Sequence, residues 1–94
     1  MNFEWDERKN RGNRAKHGVS FEAATLVFED PHAIGVQDHT EEGEERWKTV
    51  GMSAGVVVLL VVHTHREENG EEYVRIISAR KATPRERKTY EEGL

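Results

Sequence analysis

Cysteine is absent from this chain of 94 residues, which excludes disulfides, thiolate nucleophiles and thiolate–metal sites. That absence fits a reducing compartment, and a cytoplasmic protein is expected. Apolar residues are also sparse, at 35%, so the core must be modest and a single domain over residues 1–94 is expected. The longest apolar run, Val56 to Val62, is far too short to span a bilayer, so no membrane partner is expected. The chain is polar and charged from Asn2 onward, unlike a secretory signal. It has no Gly-rich phosphate loop and no nucleophile elbow. It has no internal repeat, linker or low-complexity stretch, and no cofactor is expected.

Charge is plentiful but unevenly placed. The formal net charge is −4, which by itself argues against a nucleic-acid binder. Met1 to Ser20, however, carries five Lys/Arg against three Asp/Glu, and Tyr73 to Leu94 carries six against three. The acid is concentrated between Phe21 and Glu72, with twelve Asp/Glu against three Lys/Arg. If the two basic ends meet in space, they form a positive patch on an acidic protein.

Hydrophobic period divides the chain into helices and strands. Phe3-Glu4-Trp5 alternates as a short strand does. Asp6 reads as an N-cap, and a helix follows from about Glu7 to Lys16 or His17. Its only apolar residue is Ala15, so core burial alone cannot hold it. Gly18 suits a left-handed C-cap with Val19 as its hydrophobic contact. Ser20 opens a second helix, with Phe21, Ala24, Val27 and Phe28 near one face, and Asp30-Pro31 ends it. From there the period changes to two. Strands are expected at Ala33 to Asp38, Glu45 to Met52, Val56 to His65 and Tyr73 to Arg80. Glu41-Glu42-Gly43-Glu44 is read as an acidic turn, Ser53-Ala54-Gly55 as a turn, and Glu67 to Gly70 as a hairpin with its Asn-Gly signal. Thr83, Pro84 and Glu86 are the N-cap, first residue and capping-box partner of a last helix. The expected fold is α+β: two N-terminal helices, a four-stranded antiparallel sheet and a C-terminal helix.

Three kinds of chemistry are compatible with these residues. His63 and His65 share a strand face, and with His39 they could make a metal site; surface histidines are the plainer account. A non-catalytic protein-binding module, or an inactive homologue of an enzyme, is a second reading. The third is metal-free RNA cleavage. There the 2′-hydroxyl attacks its own phosphodiester, and the protein takes one proton, steadies the phosphorane and gives one proton back. Arginine offers permanent bidentate donors for phosphate, and the cations at the two ends supply them. In a regular strand positions 75, 77 and 79 share one face and 74, 76, 78 and 80 the other. Arg75 and Arg80 would then face apart unless the strand twists or ends first. Arg75 fits a cross-strand partner for surface glutamates equally well. Tyr90 reads equally as a packing residue, His17 as a cap residue, and the cations of the last helix as a solvated face.

Longer words in the sequence resemble a known family. Phe3-Glu4-Trp5-Asp6, Lys16-His17-Gly18-Val19-Ser20-Phe21-Glu22, Phe28 with Asp30-Pro31, and Glu44-Glu45-Arg46-Trp47 occur in order. Arg75-Ile76-Ile77-Ser78-Ala79-Arg80-Lys81-Ala82 follows, then Arg85-Glu86-Arg87 and Tyr90. Together they look like the BrnT family of bacterial toxins. The resemblance implies a RelE-like fold and a ribonuclease toxin of a type II toxin–antitoxin pair. Its implied partners are RNA and a BrnA-type antitoxin, with operator DNA reached only through that antitoxin. It implies cleavage without a metal by basic and aromatic residues. Carried onto matching positions, the catalytic set is His17, Arg46, Arg75, Arg80, Lys81 and Tyr90. Arg80 is then the foremost phosphate clamp, and His17 or Lys81 the proton-transfer group. Lys9, Lys16, Arg85, Arg87 and Lys88 are the expected RNA-binding cations.

Overall fold

The structure, a computed structural model, describes residues 1–41 and 44–94. The turn read at Glu41-Glu42-Gly43-Glu44 centres on residues 42 and 43, which lie outside the described residues. In order, the elements are β1 (Asn2–Glu4), α1 (Glu7–His17), α2 (Phe21–Thr25), a 3-10 turn (Leu26–Glu29), β2 (Ile34–Glu41), β3 (Glu44–Ser53), β4 (Val57–Glu68), β5 (Glu71–Lys81) and α3 (Pro84–Glu92). The strands form one sheet in the order β1-β5-β4-β3-β2.

This corrects the four-stranded antiparallel sheet expected from periodicity. The sheet has five strands and is mixed, because β1 lies parallel to β5, with Phe3 beside Val74. The alternation of Phe3-Glu4-Trp5 was legible, but three residues carry no signal for which edge they join. The second helix is also shorter than expected. After Thr25 it tightens into the 3-10 turn, which lies directly on β3. A Cβ at Gly51 would stand 2.8 Å from Val27 Cγ1, so only glycine permits that approach.

The core lies between the helices and one face of the sheet. Val19, Phe21, Ala24 and Val27 meet Leu59, Val61, Val74, Ile76 and Ala79. Trp5 packs edge-on to Phe21, with ring centroids 6.1 Å apart, and Phe28 packs edge-on to His63 at 4.8 Å.

The polar helix α1 is docked by two buried asparagines instead of an apolar stripe. Asn13 is 8% exposed; it donates to the carbonyls of Val19 (2.9 Å) and Ala79 (2.7 Å) and accepts from the Ala79 amide. Asn10, 1% exposed, donates to Glu7 and Glu22 and accepts from the Phe21 amide at 2.8 Å. The side chain of Asn13 thus stands where another strand would pair with β5. Gly18 closes α1 with φ 71° and its amide on the Arg14 carbonyl. At the other end of the chain, Thr83 and Glu86 form the expected capping box of α3.

Candidate RNA-binding and active site

Strand register decides which side chains share the sheet face opposite the hydrophobic core. Arg46 pairs with Thr64, and Thr64 with Arg75, so the three stand in one row across β3, β4 and β5. Lys48, Val62 and Ser78 make the next row, and Val50, Leu60 and Arg80 the one after. Alternation alone would set Arg75 and Arg80 on opposite faces. A bulge removes that conflict: Val62 pairs with Ser78 and His63 with Ile76, leaving Ile77 as an extra residue in β5. One extra residue inverts the alternation beyond it. Arg46, Lys48, Arg75 and Arg80 therefore all belong to one face.

At the β1 end of this face lies a cavity of about 340 Å³. Its walls are Arg46, Thr64 and Arg75 from the sheet, the bulge residues Ile76 and Ile77, Glu44 at the start of β3, and Asp6 and Lys9 from the start of α1. The N-terminal and C-terminal basic segments meet here through Lys9 and Arg75. Arg75 Nη2 donates to Glu44 Oε1 at 2.8 Å. Asp6 caps α1 by accepting the Arg8 amide at 2.8 Å, and that bond holds its carboxyl below the usual range. The Thr64 hydroxyl is buried and has no hydrogen-bond partner among the described residues. A shallower cleft adjoins, lined in part by Glu4, Trp5 and Arg66. Arg66 lies against Glu4, donates to Glu68 at 3.0 Å and covers the Tyr73 ring at 4.7 Å. Its bond to Glu4, then that to Glu68, raises its already high pKa.

Of the residues singled out from the sequence, Lys9, Arg46 and Arg75 are brought together here. The others stand elsewhere. Arg80 donates from Nη1 and Nη2 to the two carboxylate oxygens of Glu86, at 2.8 and 3.0 Å. That bond raises the guanidinium and lowers the Glu86 carboxyl. Lys81 belongs to the opposite face, opposite Leu59 in register. There it lines a separate cleft of about 490 Å³ with Arg14, Ser20 and Glu22. His17 is the last residue of α1 and is half-buried, and Lys16 is exposed. Tyr90 is 3% exposed and donates to Asp30 Oδ2 at 2.6 Å. Arg85 and Lys88 are exposed on α3, and Arg87 lies 3.7 Å from Glu91.

The histidines do not converge. His39 shares the face of Arg46, whereas His63 pairs with Trp47 and Ile76 on the other. His63 is buried, with Nε2 2.7 Å from the Thr49 hydroxyl. Burial lowers its pKa, the Thr64 carbonyl opposes that, and nearby His65 adds to it. Among the described residues no group of three or more His, Asp or Glu is placed to hold a metal ion. No helix among them is long and apolar enough to cross a membrane.

The sequence reading missed Glu44 and Thr64 as cavity residues and Asn10 and Asn13 as docking residues. Glu44 had one available signal. Its neighbours Arg46 and Lys48 alternate with it in β3, so all three share a face.

Comparison with known proteins bears on what the cavity does. The family model described as "Ribonuclease toxin, BrnT, of type II toxin-antitoxin system" matches residues 5–86. Among solved structures, the crystal structure of the Brucella abortus ribonuclease toxin BrnT is similar, with a TM-score of 0.67 and 25% sequence identity. The match covers 88% of this chain and 97% of that one. No curated protein matches the chain.

Proposed function

The chain belongs to the BrnT family of type II toxin–antitoxin ribonuclease toxins, and from that premise we propose that it is a metal-independent endoribonuclease acting at the cavity between α1 and the sheet. It degrades RNA in the cytoplasm, slows translation and growth, and is held inactive by an antitoxin of the BrnA type. Operator DNA is reached through that antitoxin only.

The observation that carries this reading is the meeting of Lys9, Arg46 and Arg75 around one concavity. Two guanidiniums in one strand row present several fixed N–H donors to a phosphodiester. A guanidinium's delocalised charge and forked donors can meet the extra negative charge of a phosphorane. Ile77 adds an apolar wall against which a ribose or base can rest. Arg80, with its donors on Glu86, acts in this proposal by holding α3 against the sheet. Lys81 and Arg14 line the separate cleft on the opposite face, and Lys16 is exposed near the end of α1.

The test is cleavage of a labelled single-stranded RNA by the purified, antitoxin-free protein. Cleavage is expected with and without a chelator. Arg75→Ala is expected to slow it about a hundredfold or more. It should shift stability by no more than about 0.5 kcal/mol, because Arg75 is exposed. Wild-type protein that leaves RNA intact, or an Arg75→Ala variant with full activity, would overturn the reading.

A further inference from the structure

We propose that Glu44 is the general base of this reaction, an inference that rests on the ribonuclease reading above. Metal-free cleavage needs a group to take the 2′-hydroxyl proton. Among the described residues, the polar groups lining the cavity are Asp6, Lys9, Glu44, Arg46, Thr64 and Arg75. Arginine cannot accept a proton, an ammonium has no lone pair to take one, and the Thr64 hydroxyl is buried. That leaves two carboxylates. Asp6 is engaged as the N-cap of α1, and a carboxylate bound to helix amides is a poor base. Glu44 is joined instead to Arg75 through one oxygen, Oε1. Its other oxygen has lone pairs to offer a substrate, and Arg75 fixes the carboxylate beside the place where phosphate is held.

The step balances with groups on the cavity wall. Glu44 removes the 2′-hydroxyl proton as the 2′-oxygen bonds to phosphorus. Arg46 and Arg75 meet the charge of the phosphorane. The bond from phosphorus to the 5′-oxygen breaks, and that oxygen takes a proton from the Lys9 ammonium. The products are a 2′,3′-cyclic phosphate and a 5′-hydroxyl. Solvent then removes the proton from Glu44 and restores one to Lys9. A carboxylate base differs from the basic and aromatic set implied by family resemblance, and the alternation of β3 is what brings it to the arginines.

Glu44→Gln separates this role from a merely electrostatic one. The amide keeps the shape and can still accept from Arg75, but it removes a negative charge from the RNA site. An electrostatic role therefore predicts tighter RNA binding with cleavage unchanged or faster. A base predicts binding at least as tight with kcat lower by about 10²–10⁴-fold. It also predicts loss of the acid limb of the pH–rate profile and partial recovery in Glu44→Asp. Binding is read by fluorescence anisotropy with a 2′-deoxy analogue at the cleavage site, and product ends by mass spectrometry. A Glu44→Gln variant that cleaves like wild type with an unchanged pH profile overturns the base assignment and leaves the ribonuclease reading standing. Products with a 3′-hydroxyl and a 5′-phosphate overturn it too, because no 2′-attack has occurred. Wild-type protein that cleaves no RNA overturns the ribonuclease reading itself, and the base assignment with it.

Discussion

Tyr90 shows how one residue type serves two ends. Its hydroxyl donates to Asp30 Oδ2 at 2.6 Å, and Asp30 also accepts the Met52 and His32 amides at 2.8 and 2.9 Å. Burial pushes the Asp30 carboxyl up, but Tyr90 and the two amides outweigh it, and the net position is below its ordinary value. The same hydrogen bond pushes the Tyr90 phenol up to about 12. A phenol held on a carboxylate is a rivet between α3 and the loop before β2, and Tyr90→Phe is expected to cost about 2 kcal/mol. The pH dependence has a definite direction. The unfolded chain releases the tyrosine proton above its ordinary value of 10.0, while the folded protein keeps it to about 12. The contribution is whole below pH 10 and is lost as pH rises towards 12. On the acid side, Asp30 contributes above its ordinary value of 3.8, and the contribution fades as pH falls below it. Urea melts of wild type and Tyr90→Phe should therefore differ by a constant amount from neutrality to pH 10, and the gap should close above that. A gap that persists unchanged to pH 12 contradicts the Asp30–Tyr90 bond.

At the scale of elements, α1 is the piece that joins fold to site, since it contributes Asp6 and Lys9 to the cavity wall. Removing its main clamp with Asn13→Ala leaves the Ala79 amide, the Ala79 carbonyl and the Val19 carbonyl without their partner. A loss of about 3 kcal/mol is expected. Amide exchange should accelerate most in α1 and at Ala79, and least in β3 and β4. Uniform acceleration across the sheet would show that α1 is not docked this way. Much of this level was legible beforehand. The caps at Asp6, Gly18, Ser20 and Thr83, the Asn-Gly hairpin and the shared face of Arg46 and Lys48 all follow from local chemistry. What was not legible is long-range. Asn10 and Asn13 look like any helix-surface amides until β5 lies beside them. The bulge at Ile77 has no sequence marker, since isoleucine suits a regular strand. Yet that single extra residue sets Arg75 and Arg80 on one face and places Arg75 in the cavity. Lys81 and Tyr90, attractive as cation and phenol, are sent to other surroundings by the same register and by α3.

For the whole molecule the question is how a chain of net charge −4 holds an anion. The answer lies in sorting by register. Arg46, Lys48 and Arg75 share one sheet face, and Lys9 reaches it from α1. Arg11 and Arg14, by contrast, line a separate surface cleft with Ala15 and Gly18. In the proposed reading, a polyanion meets these cations on one face of an otherwise acidic protein. Binding through about four phosphates releases their counterions, and log Kd should rise linearly with log salt with a slope of about 3 for single-stranded RNA. Lys9→Gln removes one such contact and should lower the slope by about 0.7, whereas Arg11→Gln should leave it unchanged. The measurement is anisotropy of a labelled, non-cleavable RNA across a salt series. Equal effects of the two substitutions would mean that RNA follows net surface charge and not the face assembled by β3, β5 and α1. A different effect at Lys9 alone ties RNA to the row of Arg46 and Arg75, because among the described residues Lys9 is the one lysine lining their cavity.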